Sequence, residues 1–231
     1  MPRTENAQSS RRALYSPEYY SSLLAGLIHK LNNVTTVLSG HTGLILMDSK
    51  LPRDIRDPVE HMAKATQVLS QIIDEAAIVA KTTPHQLQTI DLEGLFQACA
   101  IPPNLKVSPK NGPITGTIEA DGTKLRWVLE EIYRNARNAG ATQIWYDVEE
   151  QNDKYVFRVR DDGKGVKKEV IPRIFDPFFT TRKFTEAFGL GLFRARGELA
   201  QMRGEIWATS DGSTFTEISI EFPKNGRATD Q

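Results

Sequence analysis

The amino-acid sequence predicts an α+β protein in which an N-terminal helical hairpin precedes a mixed α/β layer. Two long helical patterns occupy residues 17–81, and shorter helix and strand patterns alternate further along the chain. The 231 residues suffice for two modest domains, and 39% hydrophobic with 25% charged residues is typical of a folded soluble protein. We expect the following divisions: a mobile arm (1–16), the hairpin (17–81), a linker (82–90), the α/β domain (91–223) and a tail (224–231).

Apolar residues recur at alternating spacings of four and three in both helical patterns, which places each set on one helix face. The first stripe is Leu27, Leu31, Val34, Leu38, His41 and Ile45. The second stripe is Val59, Met62, Thr66, Leu69, Ile73, Ala76 and Ala80, in a helix predicted to start at Asp57 and Pro58. Because two helices alone cannot cover such stripes, we expect a homodimer that completes a four-helix bundle.

Composition and charge narrow the function classes. The 29 basic and 29 acidic residues give a net charge of zero, so nothing draws the whole chain toward nucleic acid or an anionic membrane. The single cysteine, Cys99, cannot form a disulfide within the chain, which favours a reducing compartment. The apolar stretch at residues 23–28 is too short to span a bilayer. We therefore expect a cytoplasmic protein with no nucleic-acid partner and no membrane insertion.

Three short motifs in the second half carry candidate chemistry. Glu131 and Asn135 lie four residues apart on one face of a predicted helix, a carboxylate and a carboxamide able to hold a hydrated Mg²⁺. The segment 161–165 follows a strand, and its glycines let the backbone approach a planar ligand while Asp161 accepts from an amine. The segment 189–192 opens a helix with free N–H groups suited to phosphate. Taken singly, each motif is equally typical of a solvated helix face, a strand-exit turn or an ordinary glycine-rich helix start.

Together, the order and spacing of these motifs resemble the ATP-binding domain of sensor histidine kinases, of the class shared with gyrase, a heat-shock chaperone and mismatch-repair ATPases. The resemblance covers about residues 88–222 and implies an α/β sandwich that binds ATP and Mg²⁺. It implies that Asn135 coordinates the metal, that Asp161 binds the adenine amine and that Glu131 polarises or orients at the metal side. The other nucleotide-binding residues that it implies are Gly163, Gly165, Arg182, Lys183, Gly189, Leu190, Gly191 and Leu192.

The segment 27–33 is similar to the phosphoacceptor box of the same family's dimerisation and histidine-phosphotransfer domain. His29 points away from the apolar stripe, because two residues turn a helix by about 200°, whereas His41 belongs to the stripe. A surface imidazole can accept a phosphoryl group, so His29 is the predicted phosphoacceptor and His41 a seam residue. Asn33, one turn after His29, matches the position where family members orient water against a receiver phosphoaspartate.

The residue after His29 leaves two functions open. Kinases of this type carry Glu or Asp at that position, and Lys30 cannot act as a base there. One function is a kinase that autophosphorylates on His29 with Mg-ATP and passes the phosphoryl group to a response-regulator aspartate. The other is a phosphotransfer or phosphatase module with weak or no autokinase activity. A gyrase-type ATP-driven clamp would leave His29 without a role. We also expect a separate sensor protein to supply the input.

Overall fold

The computed structural model describes residues 17–80, 84–182 and 187–223. The chain divides into two compact units, residues 1–83 and residues 84–231. The first unit contains two long helices, α1 (Pro17–Leu46) and α2 (Arg53–Ala80). Three of the sequence expectations lie outside the described residues: the arm at 1–16, the tail at 224–231 and the ligand role of Lys183.

Helices α1 and α2 form the predicted hairpin, and a seam with a seven-residue repeat holds them together. The buried residues on α1 are Ile28, Thr35 and Thr42, and those on α2 are Val59, Thr66 and Ile73. Each of the three threonine hydroxyls donates to a backbone carbonyl one turn earlier, at 2.8–3.1 Å. The helix therefore satisfies these polar groups itself, and the seam can remain free of water.

The apolar stripe predicted on α1 lies beside this seam rather than in it. Leu27 is 52% exposed and Val34 is 55% exposed, and His41 is exposed as well. The seam instead uses the heptad position of Ile28, about 100° around the helix from Leu27. The expectation that His41 is buried is therefore wrong for the single chain.

Helix α2 begins earlier than the sequence predicted. It starts at Arg53, and Pro58 lies inside it. The carbonyl of Pro52 accepts from the N–H groups of Ile55 and Arg56 at 3.1 and 2.8 Å, so the first turn closes ahead of Pro58. Pro58 lies near enough to the N-terminus that the helix loses a single backbone hydrogen bond there.

The second unit is the predicted mixed α/β layer. Its helices are α3 (Leu92–Gln97), α4 (Gly122–Asn138) and α5 (Gly191–Gln201), with a 3₁₀ turn at Ile171–Arg173. Its strands are β1 (Gln88–Asp91), β2 (Lys106–Pro109), β3 (Thr117–Ala120), β4 (Gln143–Gln151), β5 (Lys154–Asp161), β6 (Glu205–Ser210) and β7 (Thr216–Pro223). Strands β1 and β3 pair antiparallel, and the other five form one sheet in the order β2-β4-β5-β7-β6 with only β2 and β4 parallel.

One face of α4 forms the centre of the core. Asp121 caps this helix by accepting from the N–H groups of Thr123 and Lys124. Its buried residues are Leu125, Val128, Leu129, Ile132, Tyr133 and Ala136, spaced three and four apart. They share one apolar cluster with the sheet residues Ile144, Phe157, Val159, Ile218, Ile220 and Phe222. Glu131 and Asn135 lie beside this buried face, so the packing of α4 fixes their position relative to the sheet.

Truncating the centre of this core destabilises the second unit. Leu129 is fully buried, so we expect Leu129→Ala to lower the free energy of unfolding by about 2–5 kcal/mol. Urea denaturation followed by tryptophan fluorescence measures this, because all three tryptophans lie in the second unit. Leu87→Ala is the control, since Leu87 is 54% exposed and its truncation is expected to change stability by about 0.5 kcal/mol or less. Equal losses for the two variants would contradict the packing described above.

Candidate functional site

The structure brings the three sequence motifs together around the C-terminal half of α4. The N–H of Lys164, in the glycine loop after β5, donates to the carbonyl of Ala139 at 3.1 Å. A side chain at Gly163 would meet the same carbonyl at 3.2 Å, and a side chain at Gly191 would overlap the carboxylate of Glu131. Residues of α4 and its C-cap therefore contact both glycine motifs, and a side chain at either glycine would displace a neighbouring group.

Glu131 fixes the orientation of the Asn135 side chain. The Asn135 Nδ2 donates to the carbonyl oxygen of Glu131 at 2.9 Å and to its carboxylate Oε1 at 3.1 Å. Arg134 holds the other carboxylate oxygen through its Nε at 3.1 Å and through a second, shorter bond from Nη2. The amide nitrogen of Asn135 is committed to Glu131, and no described residue donates to its Oδ1. A carboxamide oxygen is a ligand type that suits Mg²⁺, so this side chain fits the metal role expected from the sequence.

Asp161 is a buried carboxylate at the end of β5. It is 7% exposed, and its Oδ1 accepts from the N–H groups of Gly163 at 2.8 Å and Thr216 at 3.2 Å. Among the residues that the structure describes, none donates to the second oxygen, Oδ2. Burial raises the pKa of Asp161 above its ordinary value, although the two backbone donors oppose this shift. Oδ2 is thus an acceptor suited to the amine of a planar ligand.

Two residues that sequence reasoning missed support this carboxylate. Thr216 is buried and pairs with Asp161 across β5 and β7. Asp162 accepts from the N–H groups of Thr142 and Gln143 at 2.8 and 2.9 Å, which ties the glycine loop to the start of β4. The strand register that brings Thr216 to Asp161 joins positions 55 residues apart, and the local sequence around either residue carries no signal for it.

The segment that leads to α5 is anchored by two leucines, and the helix that follows begins without a side-chain cap. Gly189 has a φ of +67°, and a side chain there would overlap the backbone of Phe179. Leu190 is buried and Leu192 packs against the core, so both leucines anchor the start of α5. No side chain caps this start at Leu190, which leaves the first N–H groups of an 11-residue helix for an anion.

The remaining residues expected to bind the nucleotide are Gly165, Arg182 and Lys183. Gly165 has a φ of +67°, and a side chain there would come within 2.6 Å of the Ser213 nitrogen. Arg182 is half-buried, and its N–H donates to the Thr180 hydroxyl at 3.1 Å. Lys183 lies outside the described residues. The backbone at Arg182 is therefore held by a local turn with Thr180.

In the first unit, His29 and Asn33 are both exposed and lie one turn apart on α1. Lys30 is exposed beside them. The imidazole of His29 is thus accessible to a reacting partner, as the sequence predicted from its position opposite the apolar stripe. None of the described helices is both long and apolar enough to cross a membrane.

Comparison with known families and proteins gives a consistent result. Residues 120–226 match the family model described as histidine kinase-, DNA gyrase B-, and HSP90-like ATPase. The chain is 25% identical over 229 residues to the sensor kinase CckA of Brucella abortus (strain 2308), covering 87% of this chain and 24% of CckA. It is 28% identical over 206 residues to the sensor histidine kinase ZraS of Escherichia coli (strain K12), covering 84% of this chain and 44% of ZraS. The chain therefore spans less than half the length of these curated relatives.

Solved structures share the fold. Full-length ShkA in complex with AMPPNP superposes with a TM-score of 0.61 at 24% identity, covering 90% of this chain and 47% of ShkA. The histidine kinase ThkA in complex with response regulator protein TrrA superposes with a TM-score of 0.56 at 19% identity, covering 96% of this chain and 65% of that chain. Both contain a helical hairpin followed by a mixed α/β domain, so the predicted fold class is confirmed.

Replacing the buried carboxylate of Asp161 by an amide should change the stability of the second unit and its affinity for an ATP analogue in opposite directions. A pKa that is raised in the folded state disfavours folding once the group is ionised, so wild-type stability falls as pH rises from the unfolded value of about 3.9 through the folded value. We expect Asp161→Asn to remove this pH-dependent loss and to raise the melting temperature at pH 7. The same variant should bind an ATP analogue at least about tenfold more weakly, because the amide nitrogen cannot accept from the ligand amine.

Thermal melts at pH 5 and pH 7 and titration with the analogue measure these two effects. Asp153→Asn is the matched control, because Asp153 is exposed in the turn between β4 and β5. Unchanged analogue affinity in Asp161→Asn would contradict the assignment of Asp161.

Proposed function

We propose that this chain, which contains the ATP-binding core of a histidine kinase, transfers the γ-phosphoryl group of ATP to its own His29 and then to a response-regulator aspartate. The family match and the named relatives support kinase activity. The observation that carries the proposal is the convergence of the motifs of Glu131, Asp161 and Gly191 in one site, in a chain that also presents an exposed histidine on a helical hairpin.

In this proposal, residues of the second unit bind the adenine base, the phosphates and the metal ion. Asp161 accepts from the adenine amine through Oδ2, and Gly163 and Gly165 let the loop backbone pack closely beside it. The uncapped start of α5 at Gly191 receives phosphate oxygens, together with Arg182 and Lys183. Asn135 holds Mg²⁺ through Oδ1, and Glu131 keeps its amide in the required orientation. The metal ion, when bound, would neutralise the charge of the phosphates during transfer.

The reaction at His29 is a substitution at phosphorus. An unprotonated ring nitrogen forms the P–N bond, the bond from the γ-phosphorus to the bridging oxygen breaks, and ADP leaves. In a neutral imidazole one ring nitrogen carries a free lone pair, so attack requires no proton to be removed from that atom. Lys30 offers only donors and a positive charge, and it cannot assist as a base. We therefore expect autophosphorylation that depends mainly on positioning and charge neutralisation.

The hairpin supports a response-regulator partner and a second copy of this chain. ThkA, which shares the fold, was solved with a response regulator protein. We place the receiver domain at the exposed face of His29 and Asn33. The exposed stripe that includes Leu27, Val34 and Leu38 supports a homodimer, because contiguous apolar surface of this kind favours burial between helices. The input would come from a separate sensor protein, and the location would be cytoplasmic, where ATP is available.

A second candidate function rests on Lys30 and Asn33. Without an acidic neighbour for His29, the hairpin would act mainly in phosphotransfer or in removing phosphate from a receiver. Asn33 is exposed one turn from His29, where its amide can orient a water molecule. In this alternative the ATP-binding unit would regulate the hairpin rather than supply phosphate.

Loss of His29 distinguishes these functions. We expect wild type incubated with γ-labelled Mg-ATP to acquire acid-labile, base-stable label, and His29→Ala to acquire none. Asn135→Ala should also abolish labelling, because it removes the metal ligand. His41→Ala is the matched control on the same helix and should retain label. Full labelling of His29→Ala would contradict the kinase proposal, whereas no label on wild type despite ATP binding would favour the phosphatase, to be tested on a phosphorylated receiver.

A charge in the exposed stripe of α1 should separate the two copies. Leu38 is 39% exposed in the single chain, and we expect Leu38→Glu to convert a dimer to a monomer, because it places two carboxylates in the apolar interface. Sedimentation velocity measures the change. Leu44→Glu is the control on the same helix, since Leu44 is 67% exposed and lies outside the stripe. A monomeric wild type would contradict the homodimer.

A further inference from the structure

A buried ionic cluster fastens the first residues of the second unit to the two helices of the candidate site. His85, the second residue of that unit, has its Nε2 3.2 Å from Glu198 Oε2 on α5 and 3.3 Å from Lys124 Nζ on α4. Lys124 Nζ is itself 3.2 Å from the same carboxylate oxygen. The side chains of His85, Glu198 and Lys124 are only 10%, 13% and 15% exposed. Screening by water is therefore weak, and the three groups constrain one another.

Neighbouring contacts extend the attachment. The N–H of Gln86 donates to Asp121 Oδ2 at 3.1 Å, so the cap of α4 also holds the chain next to His85. Burial tends to raise the pKa of Asp121, but the N–H groups of Gln86 and Lys124 and the charge of Lys124 outweigh it and lower the pKa. Arg194 approaches the other oxygen of Glu198 at 3.5 Å and lies 4.1 Å above the ring of Trp127 on α4. The cluster thus joins the chain segment, α4 and α5 through charged contacts on each side.

The same two helices carry the candidate site at their other ends. Lys124 lies in the first turn of α4 and Asn135 in its last turns, about 16 Å away at 1.5 Å per residue. Glu198 lies about 10 Å along α5 from Gly191, the residue that abuts Glu131. Because helices are rigid over such lengths, we expect the residues of the candidate site to keep their positions when the chain segment at His85 is released.

We propose that His85 is a positioning residue for phosphoryl transfer, which sets where the chain leaves the ATP-binding unit toward the unit that carries His29. This inference rests on the proposed kinase function. His85 touches neither nucleotide nor phosphoacceptor; it acts through Glu198 and Lys124. Because transfer between separate units depends on their relative placement, releasing this segment lowers the transfer rate without weakening nucleotide binding.

The test compares three variants of the full chain. We expect His85→Ala to lower the rate of labelling at saturating Mg-ATP by about tenfold or more, while the KM for ATP and the affinity for an ATP analogue change less than about twofold. His85→Gln should restore most of the rate, because its amide both accepts from Lys124 and donates to Glu198. His61→Ala is the matched control, since His61 is exposed on α2 outside the apolar stripe. An unchanged rate in His85→Ala, or a rise in KM equal to the fall in rate, would overturn the proposal.

Amide hydrogen exchange provides a readout that does not depend on kinase activity. We expect residues 84–91 to exchange faster in His85→Ala than in wild type or His85→Gln, with α4 unchanged. If exchange in His85→Ala is faster only in this segment and the wild type acquires no label, the attachment is retained and the kinase function is rejected. Unchanged exchange would reject the attachment whatever the labelling shows.

Discussion

The burial of one face of α4 is the constraint on which the second unit depends. Its apolar residues pack into a single cluster with β4, β5 and β7, so the helix cannot rotate or slide without opening the core. Glu131 and Asn135 lie beside this buried face, and the hydrogen bond between their side chains is internal to the helix. The position of the Asn135 amide is therefore determined by hydrophobic packing, and its orientation by the Glu131 carboxylate. Gly191 completes the arrangement, because a side chain there would displace the Glu131 carboxylate from the position in which it holds the Asn135 amide.

The candidate site also contains a group that works against stability. Asp161 is buried, and burial disfavours its charged form even with two backbone donors. A carboxylate in this position is useful when an amine occupies the open oxygen, since the ligand then supplies the missing hydrogen bond. In the cluster of Glu198, His85 and Lys124, by contrast, one carboxylate oxygen of Glu198 lies 3.2 Å from a nitrogen of each of the other two side chains. Asp161 therefore keeps one oxygen to which no described residue donates, whereas the charge of Glu198 is balanced within the chain by Lys124.

The apolar residues of the hairpin's first helix, α1, lie on two neighbouring faces, one buried against α2 and one exposed. Residues at the heptad position of Ile28 hold α1 against α2, and the neighbouring stripe that includes Leu27 and Leu38 remains exposed. The sequence pattern identified the stripe as an apolar face, but it could not assign what packs against that face. His41 shows the consequence, since it follows the stripe and is exposed in the single chain. The seam residues Thr35 and Thr42 on α1 gave no apolar signal, which is why periodicity favoured the neighbouring stripe on that helix, whereas Thr66 on α2 was part of the predicted stripe.

By itself the sequence determined the features that arise from nearby residues. These were the hairpin, the helix that carries Glu131 and Asn135, the glycine loop after β5 and the order of the motifs, because each depends on residues that are close in the chain. The tertiary structure alone decided the pairing of β1 with β3 and of β2 with β4. It also decided the support of Asp161 by Thr216 and the attachment of His85 to Glu198. Each of these joins residues that are distant in the chain, and such contacts form only when the packing of the whole unit brings them together.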